Sequence, residues 1–584
     1  MKKRWLALTA ALLLCLQGLT ACTEEAASDT TTTTTAPTTA TTAPPVPSGP
    51  FHTYLSDEEV TTLLASRVET ALAVPFCING TQAVLEKERG VYFFSVKPGE
   101  YWEELTPSAE GFEAQYITPF EEDKKINVLK ANEPVRVLLY NDTAYCFVDV
   151  VFTSLPVLSM NTQTLPQTLS YFDKDEEQDV VYDKEGEPIP YDPYGEVVDD
   201  PAKPIGDYDT FMEVTLLDAE ADSHGYDNGF TSKARAHIRG RSSRNYPKNS
   251  YKLELLKEEA GVLSERNETL LGMRSDGDWN LNGMYAEPSK VRDKVAADLW
   301  LAITEDRQTT GIRNGYRCEY IEVIINGRYH GLYLLTERID RKQLDLQEND
   351  RLYFSEGDLG KWHTDFLHPK DPTDDEISGY SLKWPKEFKE PYTEWQPFGE
   401  LCKLLDSTGS KEFRETVPEM IDLDSLLDYE IFVQTICGTD NLIQNTFYVA
   451  RQQEDGSYRF SFLPWDLDQS FGVNWRGDEP YLVYENYEEL TYRDLPFWVS
   501  GTIGQRNIDG YMDRLKARYD QLRDTILSDK DIIKRVNNAQ TTLTESGAWA
   551  RNQQRWPDGA YAAVSRIRAF VVDRMAFLDD KYQP

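Results

Sequence analysis

The chain has 584 residues, with 99 Asp and Glu against 61 Lys and Arg, and a formal net charge of −38 at neutral pH. A charge that negative repels phosphate backbones and anionic lipid surfaces, which argues against nucleic-acid or membrane-surface binding and suits a soluble surface protein able to attract divalent cations. Seven cysteines make no Cys-x-x-Cys pair, six histidines are scattered, and no Gly-x-Ser-x-Gly elbow occurs, so zinc, thiol and hydrolase chemistry are set aside.

The amino terminus opens with the basic Met1-Lys2-Lys3-Arg4, followed by a largely apolar run over 5–18 and then Leu19-Thr20-Ala21-Cys22. This resembles a bacterial lipoprotein signal ending in a lipobox, which implies cleavage before Cys22 and acylation of its thiol. The apolar run is shorter than the roughly twenty residues that a membrane-spanning helix needs. Residues 22–50 are dominated by Thr with Ala and Pro and read as an extended linker. The expectation is an extracytoplasmic protein, lipid-anchored to the cell membrane through Cys22.

Residues 51–152 read as a small α/β module that carries no recognisable chemistry. An amphipathic helix is predicted over 57–74, capped by Ser56 with Glu59 three residues on. Strands are predicted at Val91–Val96, Lys125–Lys130, Val135–Tyr140 and Tyr145–Phe152, with turns at Asn79-Gly80 and Asn141-Asp142. Cys77 and Cys146 either form one disulfide or remain free buried thiols.

The second domain spans 153–584. An acidic excursion over 172–208 reads as an exposed loop, and strands are predicted at Phe211–Leu217 and Ala234–Ile238. Between that last strand and the next lies a basic loop, in which Arg239, Arg241, Arg244 and Lys248 cluster around Gly240, Ser242 and Ser243. In so acidic a chain, a local knot of cations suggests an anion site, with phosphate the natural candidate. Asp278-Trp279-Asn280-Leu281 leads into a helix predicted over Ser289–Ile303. A hairpin follows, Tyr320–Ile325 to Gly331–Glu337 through Asn326-Gly327, and a helical stretch begins near Asp340.

Two later segments carry the chemistry. Asp440 is followed five residues on by Asn445, and Asp466 with Asp468 closes an apolar strand at Phe462-Leu463-Pro464-Trp465. A protein kinase builds its phosphoryl-transfer centre this way: one Asp receives the acceptor hydroxyl's proton, and an Asn and a second Asp hold magnesium against the ATP phosphates. Burying such carboxylates is costly unless a cation or hydrogen bonds compensate.

These landmarks, in this order, resemble the CotH kinase family, named for spore coat protein H. They are Arg-Gly-Arg-Ser-Ser with Pro-Lys-Asn-Ser-Tyr-Lys (239–252), Asp-Trp-Asn-Leu (278–281), Gly-Leu-Tyr-Leu-Leu-Thr-Glu-Arg-Ile-Asp (331–340), and the Asp440/Asn445/Asp466 set. The resemblance implies an α+β, atypical protein-kinase-like fold of two lobes, the small one β-rich and the large one helical, preceded by the module. It implies ATP and Mg2+ (or Mn2+) as cofactors, Asp440 as the catalytic residue, and Asp466 with Asn445 as metal ligands. Asp468 either shares the metal or caps the following turn. The ATP-phosphate lysine is Lys248 or Lys252, with Arg239 and Arg241 nearby, and the connector containing Glu337 and Ile339 faces the nucleotide. Two departures stand out: the helix after Ser289 offers Asp293 and Asp298 but no well-placed Glu, and the basic loop lacks a G-x-G-x-x-G pattern. The leading expectation is transfer of phosphate to hydroxyls of secreted or cell-surface proteins. The alternative is a catalytically weak kinase-like domain serving as an adhesin or scaffold. Paired acids and many tryptophans also suit a glycan-processing enzyme, but nothing spaces such a pair here.

Overall fold

In the computed structural model, the described residues are 55–97, 105–117, 133–165, 204–206, 209–240, 242–259, 261–307, 314–356, 364–407, 410–473, 495–557 and 564–582. The signal, Cys22, the linker, the strand expected at Lys125–Lys130, Arg241 and nearly all of the 172–208 excursion lie outside them. No described helix is long and apolar enough to cross a membrane.

The first helix has the expected capping box. Ser56 Oγ accepts from the Glu59 N–H at 3.3 Å, and the Glu59 carboxylate accepts from the Ser56 N–H at 2.8 Å. The helix covers only Asp57–Leu64, well short of residue 74. Arg67 bonds the carbonyls of Leu63 and Asn141, and Val68–Glu69 then pairs in parallel with Ala144–Tyr145. Strand pairing with the sheet therefore overrides the helical periodicity. Val91–Ser95 and Val135–Tyr140 flank the long strand Ala144–Thr153, the first in parallel and the second antiparallel. The core beneath them joins Phe93, Val137 and Val148 to Val157, Leu217, Ile324 and Tyr329 of the following barrel. Cys77 and Cys146 are free thiols.

Seven strands then close on themselves: β1 (Val157–Asn161), β2 (Thr210–Leu217), β3 (Phe230–Arg239), β4 (Ser250–Glu259), β5 (Asp278–Asn282), β6 (Cys318–Ile325) and β7 (Arg328–Thr336). The order runs β3-β2-β1-β6-β7-β5-β4, and β4 pairs back onto β3. Only β1 and β6 run parallel in this ring. Alternation explains the closure. In β3 the residues Phe230, Ser232, Ala234, Ala236 and Ile238 are buried, while Lys233, Arg235, His237 and Arg239 face outward. Met160, Val214, Leu253, Trp279, Val323 and Tyr333 fill the interior. Asn326 and Gly327 link β6 to β7 with φ of 53° and 77°, the pair of positive values that a tight two-residue hairpin turn requires.

Helix α1 (Arg292–Thr304) leaves the barrel between β5 and β6 and begins three residues later than the sequence suggests. Lys290 has φ of 61°, which no helix accommodates. The Glu287 carboxylate instead accepts the backbone N–H groups of Ser289 and Arg292. Beyond β7, a second sheet forms from β8 (Arg351–Ser355), β9 (Tyr380–Trp384), β10 (Thr446–Gln452) and β11 (Tyr458–Pro464), in the order β9-β8-β10-β11. Helices α2 (Gln396–Asp406), α3 (Lys411–Met420) and α4 (Leu423–Ile436) precede β10, and α5 (Leu495–Gln505), α6 (Tyr511–Arg523), α7 (Asp529–Glu545), α8 (Ala548–Arg555) and α9 (Val564–Tyr582) follow β11. One large apolar core joins α1 to this second sheet and its helices. The fold is α+β.

Candidate active site

The two chemistry-bearing segments meet because β10 and β11 pair with Thr446 opposite Pro464. Helix α4 ends on Cys437 in the left-handed conformation, a single 3-10 turn carries Asp440–Leu442, and the chain enters β10 through Asn445. Asn445 accepts the Trp465 N–H at 2.9 Å and donates its own N–H to Ser355 O at 3.0 Å, at the end of β8. The Asn441 side chain donates to Trp465 O at 2.8 Å. Asn445 and Asp466 both have positive φ, 60° and 55°. Non-glycine residues held there cost about 1–3 kcal/mol each, a strain that concentrates at functional sites. Asp440 Oδ2 accepts from Gln444 Nε2 at 3.2 Å, with Asn445 Nδ2 at 3.5 Å.

The electrostatics are those of carboxylates short of counter-charge. Burial, then the charge of Asp466, raises the pKa of Asp440 to about 6. Asp293, in the first turn of α1, is raised to about 6 by burial and again by Asp466. Burial pushes Asp468 well above the usual range, and Asp466, Asp293, Asp440 and Glu287 push it further. Enclosure raises Asp466 against the pull of Arg239, although its side chain keeps contact with solvent. Among the described residues, none of Asp440, Asp466, Asp468 and Asp293 has an ion-pair partner.

Such a set fits a divalent cation, whose charge removes the mutual repulsion. No three His, Cys, Asp or Glu side chains among the described residues form a ready-made metal cage. Magnesium bound with a nucleotide does not need one, because one or two protein ligands plus phosphate oxygens and waters complete its shell. Asp466, Asn445 and Asp468 would supply the protein ligands. Ser470 Oγ donates to Leu467 O at 2.7 Å across the turn that contains Asp468.

The outer face of β3, β4 and β5 forms the opposing wall. Arg239 feels both Asp466 and Asp293, and its guanidinium lies 5.8 Å from the Trp465 ring centroid. Lys252, opposite Asn280 in the register, pairs with Asp278 at 3.2 Å, and Asp278 also takes Arg338 of the connector at 2.7 Å. The loop after β3 comes close to the carboxylates: burial, then Asp468 and Asp466, raises the Tyr246 phenol. Gly240 opens this loop at φ of 105°, where a Cβ would strike the Ser243 hydroxyl.

The phosphate-contact expectation needs correcting at Lys248. Its ammonium is buried, donates to Leu332 O and to Asn552 Oδ1 (2.8 Å), and lies 4.5 Å from the Tyr333 ring centroid. Desolvation lowers its pKa well below the usual lysine value. It anchors the barrel end to α8. Glu337 is likewise committed, its carboxylate accepting the backbone N–H groups of Arg274 and Arg317 at 2.8 Å each, and Ile339 packs in the core. Any nucleotide contact at either position falls to the backbone. Sequence reasoning overlooked Lys290, which is buried and drawn towards Glu287 and Asp468 while desolvation holds its pKa down to about 8. It also left Asp293 without a role. Their local signal is charge at the start of a helix whose later turns are largely apolar.

An Asp–Asn pair, a second Asp and an opposing cationic sheet face point to a kinase-like protein. Residues 236–578, more than half of the chain, match the family model described as CotH kinase protein, and the chain belongs to the CotH kinase family. No curated protein matches the chain.

Proposed function

We propose that this protein is a surface-tethered kinase that transfers the ATP γ-phosphate to hydroxyls of secreted or cell-surface proteins. The observation that carries the reading is the convergence of Asp440, Asn445, Asp466 and Asp468, whose carboxylates have no ion-pair partner among the described residues and whose Asp466 draws on Arg239 of the barrel. The barrel would serve as the small lobe, the second sheet with its helices as the large lobe, and residues 337–340 as the connector between them. Magnesium or manganese, when bound, neutralises charge on the phosphates. Asp440 receives the proton of the attacking hydroxyl, Gln444 and Asn445 orient its carboxylate, and Asp466 with Asn445 holds the ion in place. A loose transition state needs positioning and charge neutralisation more than covalent help.

One observation favours the adhesin or scaffold reading: Lys252 is already paired with Asp278, and Lys248 points elsewhere. Calorimetric titration of residues 51–584 with Mg–ATP, followed by labelled-phosphate transfer to itself and to secreted proteins, separates the two. Binding and labelling support the kinase; binding without labelling of any protein supports the scaffold.

The lysines give a sharper test. Lys252→Ala is expected to weaken Mg–ATP binding roughly 10- to 100-fold, the worth of one hydrogen bond to a charged group. Lys248→Ala should leave affinity unchanged in the folded fraction but lower the melting temperature, because Leu332 O loses its side-chain donor at about 1–3 kcal/mol, while Asn552 Oδ1 keeps the Leu332 N–H. Equal affinity losses in the two variants would contradict this division of labour.

Tethering rests on the amino-terminal motif alone. Cys22→Ala is expected to leave the precursor unprocessed or to release the protein from detergent-phase membranes. Unchanged membrane association in that variant excludes the lipid anchor.

A further inference from the structure

The kinase pattern joins a small-lobe lysine to a glutamate on the helix that packs behind it, and here that helix offers no such glutamate. The lysine of α1 nearest its start, Lys294, pairs with Asp298 and Glu319 (3.0 and 3.5 Å), while Lys252 pairs with Asp278 on the barrel. Asp293 is the α1 residue that turns towards the carboxylate cluster. It is 5% exposed, its Oδ1 accepts the Tyr316 hydroxyl at 2.9 Å, and its Oδ2 accepts Asn282 Nδ2 at 2.9 Å. The Tyr316 ring packs on Trp465 with centroids 4.7 Å apart, and Trp465 is bonded through its backbone to Asn445 and Asn441. The Leu467 N–H helps to hold the Asp293 pKa down.

We infer that Asp293 is a positioning residue: it ties β5, α1 and Tyr316 to the 465–467 stretch and so fixes the direction in which Asp466 presents its carboxylate to a divalent ion. The link between α1 and the metal-bearing turn thus runs from a carboxylate through an aromatic pair and a backbone amide, with no lysine in it. Tyr316 acts as the lever. Its hydroxyl is held at one end, and its ring bears on the residue that precedes Asp466. The part of this inference that concerns the metal rests on the phosphotransferase reading; the part that concerns the turn does not.

Two measurements keep these parts distinct. The first is amide hydrogen exchange in the metal-free protein. Asp293→Ala should speed exchange at Leu467, because Tyr316 loses the acceptor that fixes its ring against Trp465 and the 465–467 stretch loses its support. Tyr316→Phe, a milder change that keeps the ring, should move it less and in the same direction. Asp298→Ala, on the same helix but outside this network, should leave it unchanged. The second is Mn2+ binding in the presence of ADP, with the melting temperature recorded alongside. Asp293→Ala should weaken Mn2+ by tenfold or more, Asp293→Asn should restore part of the loss through its remaining amide oxygen, and Asp298→Ala should match wild type. Unchanged Leu467 exchange in Asp293→Ala overturns the inference. So does a lowered melting temperature with Mn2+ affinity intact, which would make Asp293 merely structural. Wild-type protein that takes up no Mn2+ sinks the phosphotransferase reading instead, and exchange at Leu467 still decides whether Asp293 holds the turn.

Discussion

Asp440→Asn is expected to slow phosphoryl transfer by roughly 10²- to 10⁴-fold, the cost of losing a general base, while Mg–nucleotide affinity stays at the wild-type value. Asp466→Ala should lose both, because in the proposed reading it removes a protein ligand of the ion. The pH profile supplies an independent check. Burial and the neighbouring Asp466 raise Asp440 to about 6, so wild-type kcat/KM should fall about tenfold per pH unit below 6, and Asp440→Asn should lack that acid limb. The linkage has a definite sign. A carboxyl whose folded pKa lies above its unfolded value binds more protons when folded, so metal-free stability declines as pH rises from about 4 to 6, and the full penalty remains above 6. The stabilising shift on adding Mg2+ should therefore be larger at pH 7.5 than at pH 5. A Mg2+-induced melting shift independent of pH would contradict the carboxylate cluster, and an Asp440→Asn enzyme as fast as wild type would remove Asp440 from its role.

The local parts of this site were legible because strand register is local. Asp440, Asn445 and Asp466 come together through one antiparallel pairing, β10 with β11, and the Phe462-Leu463-Pro464-Trp465 run announces it. The Ser56–Glu59 cap and the Asn326-Gly327 turn were equally legible, each being decided within a few residues. What the sequence hid is decided across long separations. Lys248 and Lys252 lie four residues apart on one loop and strand, and distant partners distinguish their fates: Leu332 and Asn552, 84 and 304 residues from Lys248, against Asp278 for Lys252. Closure of the barrel by β3 and β4 was invisible for a related reason: a hairpin between adjacent strands looks the same in an open sheet and in a ring. Asp293 shows the subtlest failure. Its helix was expected, but which acid faces the turn depends on a start that Lys290's backbone delays by three residues.

The buried pair Arg551–Glu322 should be the most costly single contact to break away from the active site. Their side chains are 1% and 0% exposed, and Arg551 meets both Glu322 oxygens, at 2.8 and 2.6 Å. Arg551 also donates to Ser546 O at 2.7 Å and lies 5.7 Å from the Phe93 ring centroid, so one guanidinium joins α8, barrel strand β6 and the amino-terminal module. Among the described residues, removing it leaves Glu322 with only the Tyr329 hydroxyl (2.7 Å) in a site closed to water. Truncating one member of a buried pair costs about 3–5 kcal/mol, because the survivor keeps its desolvation penalty. Arg551→Ala is therefore expected to lower the melting temperature clearly and to expose the module to limited proteolysis. Arg551→Met combined with Glu322→Leu should recover much of the loss, since replacing both charges with apolar groups of similar bulk removes the uncompensated carboxylate. The neighbouring Lys248–Asn552 contact lies on the same helix, so the single variant should also loosen the barrel end that Lys248 anchors. If Arg551→Ala melts like wild type, the pair is not what holds α8 and the module on the barrel.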